Sequence, residues 1–223
     1  MKKMNLAAAM AVLLCAGVSC TKTLQSDPGN PHATIPRAAV PQSAFSLWGT
    51  CNGHPYNISG SDGICVPVGN CSTDIDAAQQ NGGQNATGLQ FYGCFKGGSS
   101  ASSSASEEAV FLCDNVTQWN GNEMGFVKTL NDNVLKAYLQ GGGQYIYQAI
   151  SSGDNGYHTF KCQAKSSNSH QVDFYVDGVY KLTLTNNSGN YYNNWYYFVG
   201  TNHWYGGGNN TGQQIEMYSM QTF

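Results

Sequence analysis

The sequence predicts an all-β domain in which two antiparallel sheets pack face to face. From Phe45 onward the chain is a series of short strand-like runs separated by Gly, Asn, Asp and Ser, a pattern typical of strands and turns. No stretch keeps apolar residues at i, i+3, i+4 and i+7 for four turns, so no long helix is predicted. Ten or more strands in about 180 residues must cover their apolar faces with one another, which requires two sheets.

The clearest local prediction is a hairpin near the C-terminus. In residues 170–177 apolar side chains alternate with polar ones, so that one face carries Val172, Phe174 and Val176. Asp177-Gly178 then favours a type I′ turn, because both central positions of that turn need positive φ. Residues 179–185 are predicted as the returning strand.

The remaining strands follow from runs between turn signals. Residues 123–130, 134–140 and 144–151 are predicted as a meander whose turns are 131–133 and the three glycines 141–143. Further strands are expected at 157–164, 192–200 and 213–223.

The N-terminus has the layout of a secretory signal, which we assign to residues 1–19. A basic start is followed by an apolar run from Leu6 to Val18, too short for a membrane-spanning helix. The segment Gly17-Val18-Ser19-Cys20 resembles a bacterial lipobox, and the Ser-Cys-Thr-Lys junction resembles lipoproteins of the Bacteroidota. This resemblance implies a lipid on Cys20 and a place at the outer membrane or cell surface, with the periplasmic face as an alternative. Ordinary cleavage nearby is the other interpretation.

A proline-rich stretch follows the signal and predicts a tether over residues 20–43, with the folded domain at 44–223.

The chain has 10 basic and 13 acidic residues and a net charge of −3, which disfavours nucleic acid as a partner. Abundant Gly, Ser, Asn and Tyr are typical of extracellular β-proteins.

Six cysteines remain beyond the signal and Cys20, and we expect them to form up to three disulfides in an oxidising compartment. Fifteen connectivities are open. No Cys-x-x-Cys spacing occurs, which disfavours a zinc site. The candidates are Cys51, Cys65, Cys71, Cys94, Cys113 and Cys162.

Two strand-like segments carry a family resemblance. Residues 157–161 (Tyr-His-Thr-Phe-Lys) and 172–179 (Val-Asp-Phe-Tyr-Val-Asp-Gly-Val) resemble a strand pair of the concanavalin A-like lectin/glucanase and laminin G-like domains, and 215–220 resembles their closing strand. The resemblance covers about residues 120–223 and implies a jelly roll. It also implies a glycan or polysaccharide partner.

The resemblance does not extend to catalysis. Family 16 glycoside hydrolases of this fold carry Glu-x-Asp-x-x-Glu on one strand, which places the carboxylates on one face. That motif is absent, and Glu107-Glu108, Glu123 and Glu216 lack its spacing. Asp173 and Asp177 share a strand face, but we expect them to serve the turn or solvent. We therefore predict no catalytic residue.

Three functional interpretations stay open at this stage. The first is a non-catalytic, lectin-like carbohydrate-binding module, and the second is a hydrolase or lyase with a divergent active site. A lyase base is conceivable at His158, His203, Tyr175 or Tyr197. The third is a structural envelope protein without a small ligand.

The predicted glycan site is the aromatic and amide-rich segment near the C-terminus. Aromatic planes stack on the C–H faces of sugars, and amides bind hydroxyls. Its candidates are Trp195, Tyr197, His203, Trp204, Tyr205, Asn209 and Asn210. No cofactor is predicted, but Ca²⁺ is possible through oxygen ligands such as those of Asp132 and Asp154.

Overall fold

The computed structural model describes residues 38–49, 55–67, 75–82, 84–96, 106–114, 121–129, 134–152, 155–191, 193–203 and 214–223. These residues form sixteen β-strands and one short 3-10 turn at Gln42–Ala44, and every strand pairing is antiparallel. The strands are β1 (Ala38–Ala39), β2 (Phe45–Gly49), β3 (Tyr56–Asn57), β4 (Ile64–Pro67), β5 (Ile75–Gln80), β6 (Gln84–Ala86), β7 (Gly88–Lys96), β8 (Ser106–Cys113), β9 (Glu123–Thr129), β10 (Val134–Gly141), β11 (Gln144–Ser152), β12 (His158–Lys165), β13 (Asn168–Val176), β14 (Val179–Thr185), β15 (Asn193–His203) and β16 (Gln214–Thr222).

The strands form two sheets of eight. Sheet A has the order β14-β13-β12-β7-β16-β4-β3, with β1 also on β16. Sheet B has the order β11-β10-β9-β8-β15-β5-β2, with β6 also on β15. Each sheet combines consecutive strands, such as β12-β13-β14 and β8-β9-β10-β11, with strands from distant parts of the chain, as in a jelly roll. The predicted all-β, two-sheet antiparallel fold is confirmed.

Alternation along the strands builds the core between the sheets. Phe91, Phe160 and Phe174 face inward from sheet A, and Phe126 faces them from sheet B. The Phe126 ring lies 5.3 Å from that of Phe160 and 5.5 Å from that of Phe174. Truncating one of these rings to alanine typically costs about 3–5 kcal/mol. This core fixes the face that each strand turns outward.

The predicted C-terminal hairpin is confirmed in turn and register. Asp177 and Gly178 have φ values of 52° and 75°, as a type I′ turn requires, and Val176 pairs with Val179. The Asp177 carboxylate accepts a hydrogen bond from the Thr159 amide at 2.9 Å and contacts His158 Nδ1 at 2.6 Å. Asp177 therefore holds the hairpin against the neighbouring strand.

The sandwich begins earlier than the predicted boundary at residue 44. Ala38 pairs with Thr222 and Ala39 with Gln221, and Val40 is buried in the core. Residues 38–43, predicted as tether, therefore belong to the folded domain. No helix among the described residues is long and apolar enough to span a membrane.

No disulfide joins the four described cysteines to one another, so the predicted disulfides are not found among the described residues. The side chains of these four are buried: Cys65, Cys94, Cys113 and Cys162. Cys65 and Cys94 both lie opposite Glu216 on the strands that flank β16, so about 10 Å separates their Cα atoms. A disulfide needs a separation of about 4.4–6.8 Å. Cys162 faces the main core from sheet A, whereas Cys113 lies in a smaller cluster on sheet B. Cys51 and Cys71 lie outside the described residues.

Candidate functional site

Three tyrosines on the outer face of sheet A, the face turned away from sheet B, form what we call the tyrosine platform: Tyr92, Tyr157 and Tyr218. Tyr92 on β7 lies directly opposite Tyr218 on β16. Their neighbours Phe91 and Met217 face the core, so the alternation of each strand turns the tyrosines outward. Tyr157 immediately precedes β12, the other neighbour of β7.

The platform rings lie against one another. Tyr92 and Tyr157 are stacked, with centroids 5.6 Å apart and planes inclined by 26°. Tyr218 lies 6.4 Å from Tyr92 and 6.2 Å from Tyr157. Tyr92 is 46 % exposed and Tyr157 is 39 % exposed. The platform therefore presents aromatic surface to solvent from rings that hold one another in place.

A small polar rim borders the platform. Asp62 and Ser219 join the three tyrosines in lining an open depression of about 400 Å³. Ser219 has a φ of 51° at an irregularity of β16, and its amide donates to Asp62 Oδ2 at 3.0 Å. Gly63 lies directly beneath Tyr218, where a Cβ atom would overlap the ring. The glycine allows the ring to pack this close to the chain.

Glu216 anchors the platform from below. Its Oε2 accepts hydrogen bonds from the hydroxyls of Tyr157 and Tyr218, the latter at 3.1 Å. Its Oε1 accepts from Lys96 Nζ at 2.6 Å and from the Gln214 amide. Burial alone would raise the pKa of Glu216, but these four donors outweigh it and hold the pKa below its ordinary value. Glu216 is therefore an ionised carboxylate whose hydrogen-bonding capacity is taken up by the protein.

The hydroxyls and thiols around Glu216 keep their protons. The hydrogen bond to Glu216, together with burial, raises the pKa of Tyr157, and burial and the same carboxylate raise the pKa of Tyr218. Burial also raises the pKa of the Cys65 and Cys94 thiols. A thiol with a raised pKa is a poor nucleophile at neutral pH. These groups are suited to holding a surface in place rather than to exchanging protons with a ligand.

A second carboxyl, Glu123, lies on the outer face of sheet B. It is 2 % exposed, and Tyr138 donates a hydrogen bond to its Oε2 at 2.7 Å. Burial, which outweighs that hydrogen bond, raises the pKa of Glu123 to about 7. Along the same face of β9 the next positions are Gly125 and Val127, so the strand carries no further carboxylate there.

A third carboxyl, Glu108, is buried between the sheets. It is 0 % exposed, and neither carboxyl oxygen has a hydrogen-bond partner in the described part of the chain. Burial raises its pKa well above the ordinary range, and the nearby Lys128 charge opposes that rise only in part. Lys128 itself donates to the Phe95 carbonyl at 2.7 Å and to Asn155 Oδ1 at 2.9 Å. Glu108 cannot reach a ligand at the surface.

The predicted glycan-site residues lie on β15 and in the segment that follows it in the sequence, and β15 belongs to the sheet opposite to the platform. Trp195, Tyr197 and His203 belong to β15, which pairs with β8 and β5 in sheet B, and their side chains lie outside the described part. Four further candidates lie outside the described residues altogether: Trp204, Tyr205, Asn209 and Asn210.

The remaining polar candidates have structural partners or are not described. Asp173 accepts from Thr183 and forms an ion pair with Lys165 at 3.3 Å. Among the described residues no group of three or more His, Cys, Asp and Glu side chains is arranged to hold a metal ion. The conceivable Ca²⁺ ligands Asp132 and Asp154 lie outside them.

Sequence reasoning missed the tyrosine platform. A signal was present, because alternation puts Tyr92 and Lys96 on one face of β7 and puts Glu216 and Tyr218 on one face of β16. Only the pairing of β7 with β16, which a single sequence does not show, brings these faces together.

The fold resembles solved carbohydrate-active proteins. A β-glucanase from Bacillus licheniformis superposes with a TM-score of 0.58 at 13% identity, covering 85% of this chain and 98% of that one. A Bacteroides ovatus mixed-linkage glucan GH16 protein in complex with its product superposes with a TM-score of 0.54 at 12% identity, and the match covers 83% of this chain and 98% of that one. A carbohydrate-binding module from Bacillus subtilis superposes with a TM-score of 0.52 at 10% identity, and the match covers 81% of this chain and 96% of that one.

No protein-family model and no curated protein sequence matches the chain. At these identities the structural likeness establishes the jelly-roll fold of the concanavalin A-like class.

Proposed function

We propose that the domain binds carbohydrate at the tyrosine platform and does not cleave it. The observation that carries the proposal is the set of exposed, mutually packed rings beside Glu216, whose oxygens are already occupied by protein donors. Ligand sites are typically aromatic surfaces with a few polar groups that fix orientation. The rings offer flat surface to the C–H face of a sugar, and Asp62 at the rim can accept from its hydroxyls.

The positions of the protonated carboxyls support binding without hydrolysis. Glycoside hydrolysis requires a carboxylic acid that keeps its proton and reaches the glycosidic oxygen. The described carboxyls with raised pKa are Glu108 and Glu123, which are 0 % and 2 % exposed. Glu216, beside the platform, has a lowered pKa and cannot serve as that acid.

The jelly-roll neighbours support the same class of ligand. They include β-glucanases and a carbohydrate-binding module, so this architecture accommodates both cleavage and binding of glycans. A hydrolase or lyase with a divergent site would need an accessible acid or base. The platform groups described here do not supply one.

The platform is tested by glycan binding of the full chain and a matched set of variants. We expect Tyr157→Ala to weaken binding by about tenfold or more, because it removes a stacking ring worth roughly 1–2 kcal/mol. Tyr157→Phe keeps the ring and should bind within about threefold of wild type, a difference of less than 1 kcal/mol. Tyr180→Ala removes a tyrosine that is 53 % exposed on β14 and should leave binding unchanged.

Two outcomes would overturn the proposal. Unchanged binding in Tyr157→Ala would move the site elsewhere, and release of reducing ends from a bound polysaccharide would make the protein an enzyme. Trp204→Ala belongs in the same series, because loss of binding in that variant alone would assign the ligand to the segment after β15.

We also propose that a lipid on Cys20 holds the domain at a membrane, with residues 21–37 as the spacer. The lipobox-like residues 17–20 and the prolines that follow them support this proposal. Cys20→Ala should shift the protein from the membrane to the soluble fraction. Unchanged fractionation would contradict it.

A further inference from the structure

A buried lysine reaches from one sheet of the sandwich to the other. Lys128 lies on β9 of sheet B, is 1 % exposed, and is the one fully buried lysine or arginine in the part of the chain that the structure describes. Its Nζ donates to the carbonyl of Phe95 on β7, in sheet A, at 2.7 Å. A lysine amine is almost never fully buried without a partner, so its surroundings should show why it is placed here.

The same amine contacts the side-chain amide of Asn155. Its Nζ lies 2.9 Å from Asn155 Oδ1, in the segment that joins β11 to β12. A carbonyl bond is about 1.2 Å long, so the amide carbon Cγ lies within about 4 Å of Nζ. That is close to the separation of about 3–3.5 Å from which a nucleophile attacks.

A third group, Glu108, lies beside this pair. Glu108 on β8 is directly opposite Lys128 across the strand pair, and such partners have Cβ atoms about 4.5–5.5 Å apart. It is 0 % exposed, and neither of its carboxyl oxygens accepts a hydrogen bond from a described residue. Transfer of a proton from the Lys128 ammonium to this carboxylate removes two buried charges at once, which an apolar interior favours.

The space around the three groups is largely apolar. A cavity of about 150 Å³ is lined by Lys128 and Asn155 and by four apolar side chains, Phe95, Leu135, Phe160 and Val176. Desolvation in such a pocket activates a lysine amine as a nucleophile. Asn155 is itself exposed, so a small leaving group released from its amide reaches solvent.

We propose that Lys128 and Asn155 form an intramolecular isopeptide bond, with Glu108 carrying the proton. Glu108 takes a proton from the ammonium, and the Nζ lone pair forms a bond to Asn155 Cγ. The Cγ–Nδ2 bond then breaks, and Nδ2 leaves as ammonia with a proton that Nζ releases through Glu108. One amine and one primary amide become one secondary amide and one ammonia, so no oxidant, reductant or further reactant is needed.

The bond would tie the two sheets together covalently. It joins β9 of sheet B to the segment that enters β12 of sheet A, and it closes the loop from residue 128 to residue 155. A covalent link of this kind restricts the unfolded chain. It also fixes the chain two residues before Tyr157 of the tyrosine platform. The inference does not rest on the proposed glycan binding.

The experiment is mass spectrometry of a tryptic digest of the full chain. A free Lys128 is a cleavage site, and the digest then contains the separate peptides 97–128, 129–136 and 137–161. The isopeptide bond blocks cleavage after Lys128. We expect a single species in which peptide 97–136 is joined to 137–161, lighter than their sum by one ammonia, about 17 Da.

Two variants test the roles of the other two groups. Glu108→Gln keeps the size of the side chain and should restore cleavage after Lys128. Asn155→Gly removes the amide and should do the same, and glycine accepts the φ of 60° found at this position. Circular dichroism should show that both variants fold.

The matched control is Asn81→Gly, at a second exposed asparagine that precedes a glycine. It should leave the joined peptides unchanged. Free peptides 129–136 and 137–161 in the wild-type digest would overturn the proposal. Loss of ammonia from 137–161 alone would also overturn it, because Asn155 would then have cyclised onto Gly156. A cross-link that persists in Glu108→Gln would refute the role of that carboxyl.

Discussion

The outer faces of the two sheets each carry a glutamate that accepts a hydrogen bond from tyrosine, yet the pKa values of the two carboxyls shift in opposite directions. Glu216 on sheet A receives hydrogen bonds from a lysine, an amide and two tyrosines, and its pKa is lowered. Glu123 on sheet B is almost completely buried, and its pKa is raised to about 7.

Burial alone would raise the pKa of both glutamates. The number of hydrogen-bond donors to each carboxyl therefore decides whether the fold stabilises its ionised or its protonated form. The anionic Glu216 holds the hydroxyls of Tyr157 and Tyr218 in place, and Tyr92 packs against both rings. The buried Glu123 is an acid that has no open path to a ligand in the described structure.

The largest effect is expected for Glu216→Ala. The change leaves Lys96 and the two platform hydroxyls without their shared acceptor, and we expect a loss of about 3 kcal/mol in the free energy of unfolding. Urea unfolding at pH 7 measures it. Asp173→Ala is the control, because it removes a carboxylate with fewer partners on the same face, and it should cost about 1 kcal/mol or less. Equal losses in the two variants would contradict the anchoring role.

The pH dependence of stability should separate the two glutamates. The folded pKa of Glu123 lies above its unfolded value, so its stabilising contribution is complete below about pH 4.5 and is lost as pH rises through about 7. Between pH 5 and pH 8 this group should lower the free energy of unfolding by about 2–3 kcal/mol. Glu123→Gln should remove that part of the dependence, and an unchanged pH profile in the variant would show that burial does not perturb Glu123.

The pH dependence of stability that is due to Glu216 should have the opposite sign to that of Glu123. Its folded pKa lies below the unfolded value, so its contribution is present above about pH 4.5 and is lost as pH falls through the folded pKa. Glu216→Gln should therefore destabilise the protein at pH 7 and bring its stability closer to wild type at acidic pH. Denaturant midpoints measured at pH 3 and pH 7 provide the comparison, and a gap that widens on acidification would refute the assignment.

The smallest effect on stability is expected for Gly63→Ala. A Cβ at this position overlaps the Tyr218 ring, so the ring must move and the platform loses its geometry. We expect a cost of about 1–2 kcal/mol in stability, typical of a small overpacking change, together with weaker glycan binding. Gly60→Ala is the matched control, because a Cβ there meets no atom within 4 Å, although its φ of 76° carries a backbone cost of its own. Binding at wild-type strength in Gly63→Ala would argue against the platform.

The sequence predicted the strands and turns that depend on residues adjacent in the chain. Alternation in residues 172–176 and the positive-φ preference of Asp177-Gly178 were sufficient for the hairpin, and most of the other strands predicted after residue 120 lie within one or two residues of their predicted ends. The eight strands before residue 120 had no predicted ends. The even number of cysteines predicted disulfides that are not found among the four described cysteines. Counting cysteines carries no information on distance, and β16 separates Cys65 from Cys94.

The tyrosine platform could not be predicted for a related reason. Its rings come from three segments far apart in the chain, and the contact between them exists only because β7 pairs with both β16 and β12. The pairing of strands that are distant in sequence depends on how the two sheets pack over the core. A local sequence pattern does not predict such pairing. The aromatic segment around Trp204 attracted attention because its residues are adjacent in sequence, and its role stays a prediction.

A crystal structure of the protein with a bound oligosaccharide tests the central claim most directly. The sugar should lie against the rings of Tyr92 and Tyr157, with a hydroxyl toward Asp62 and with every glycosidic bond intact. A sugar bound on the outer face of sheet B, or a cleaved product at either face, would contradict the account.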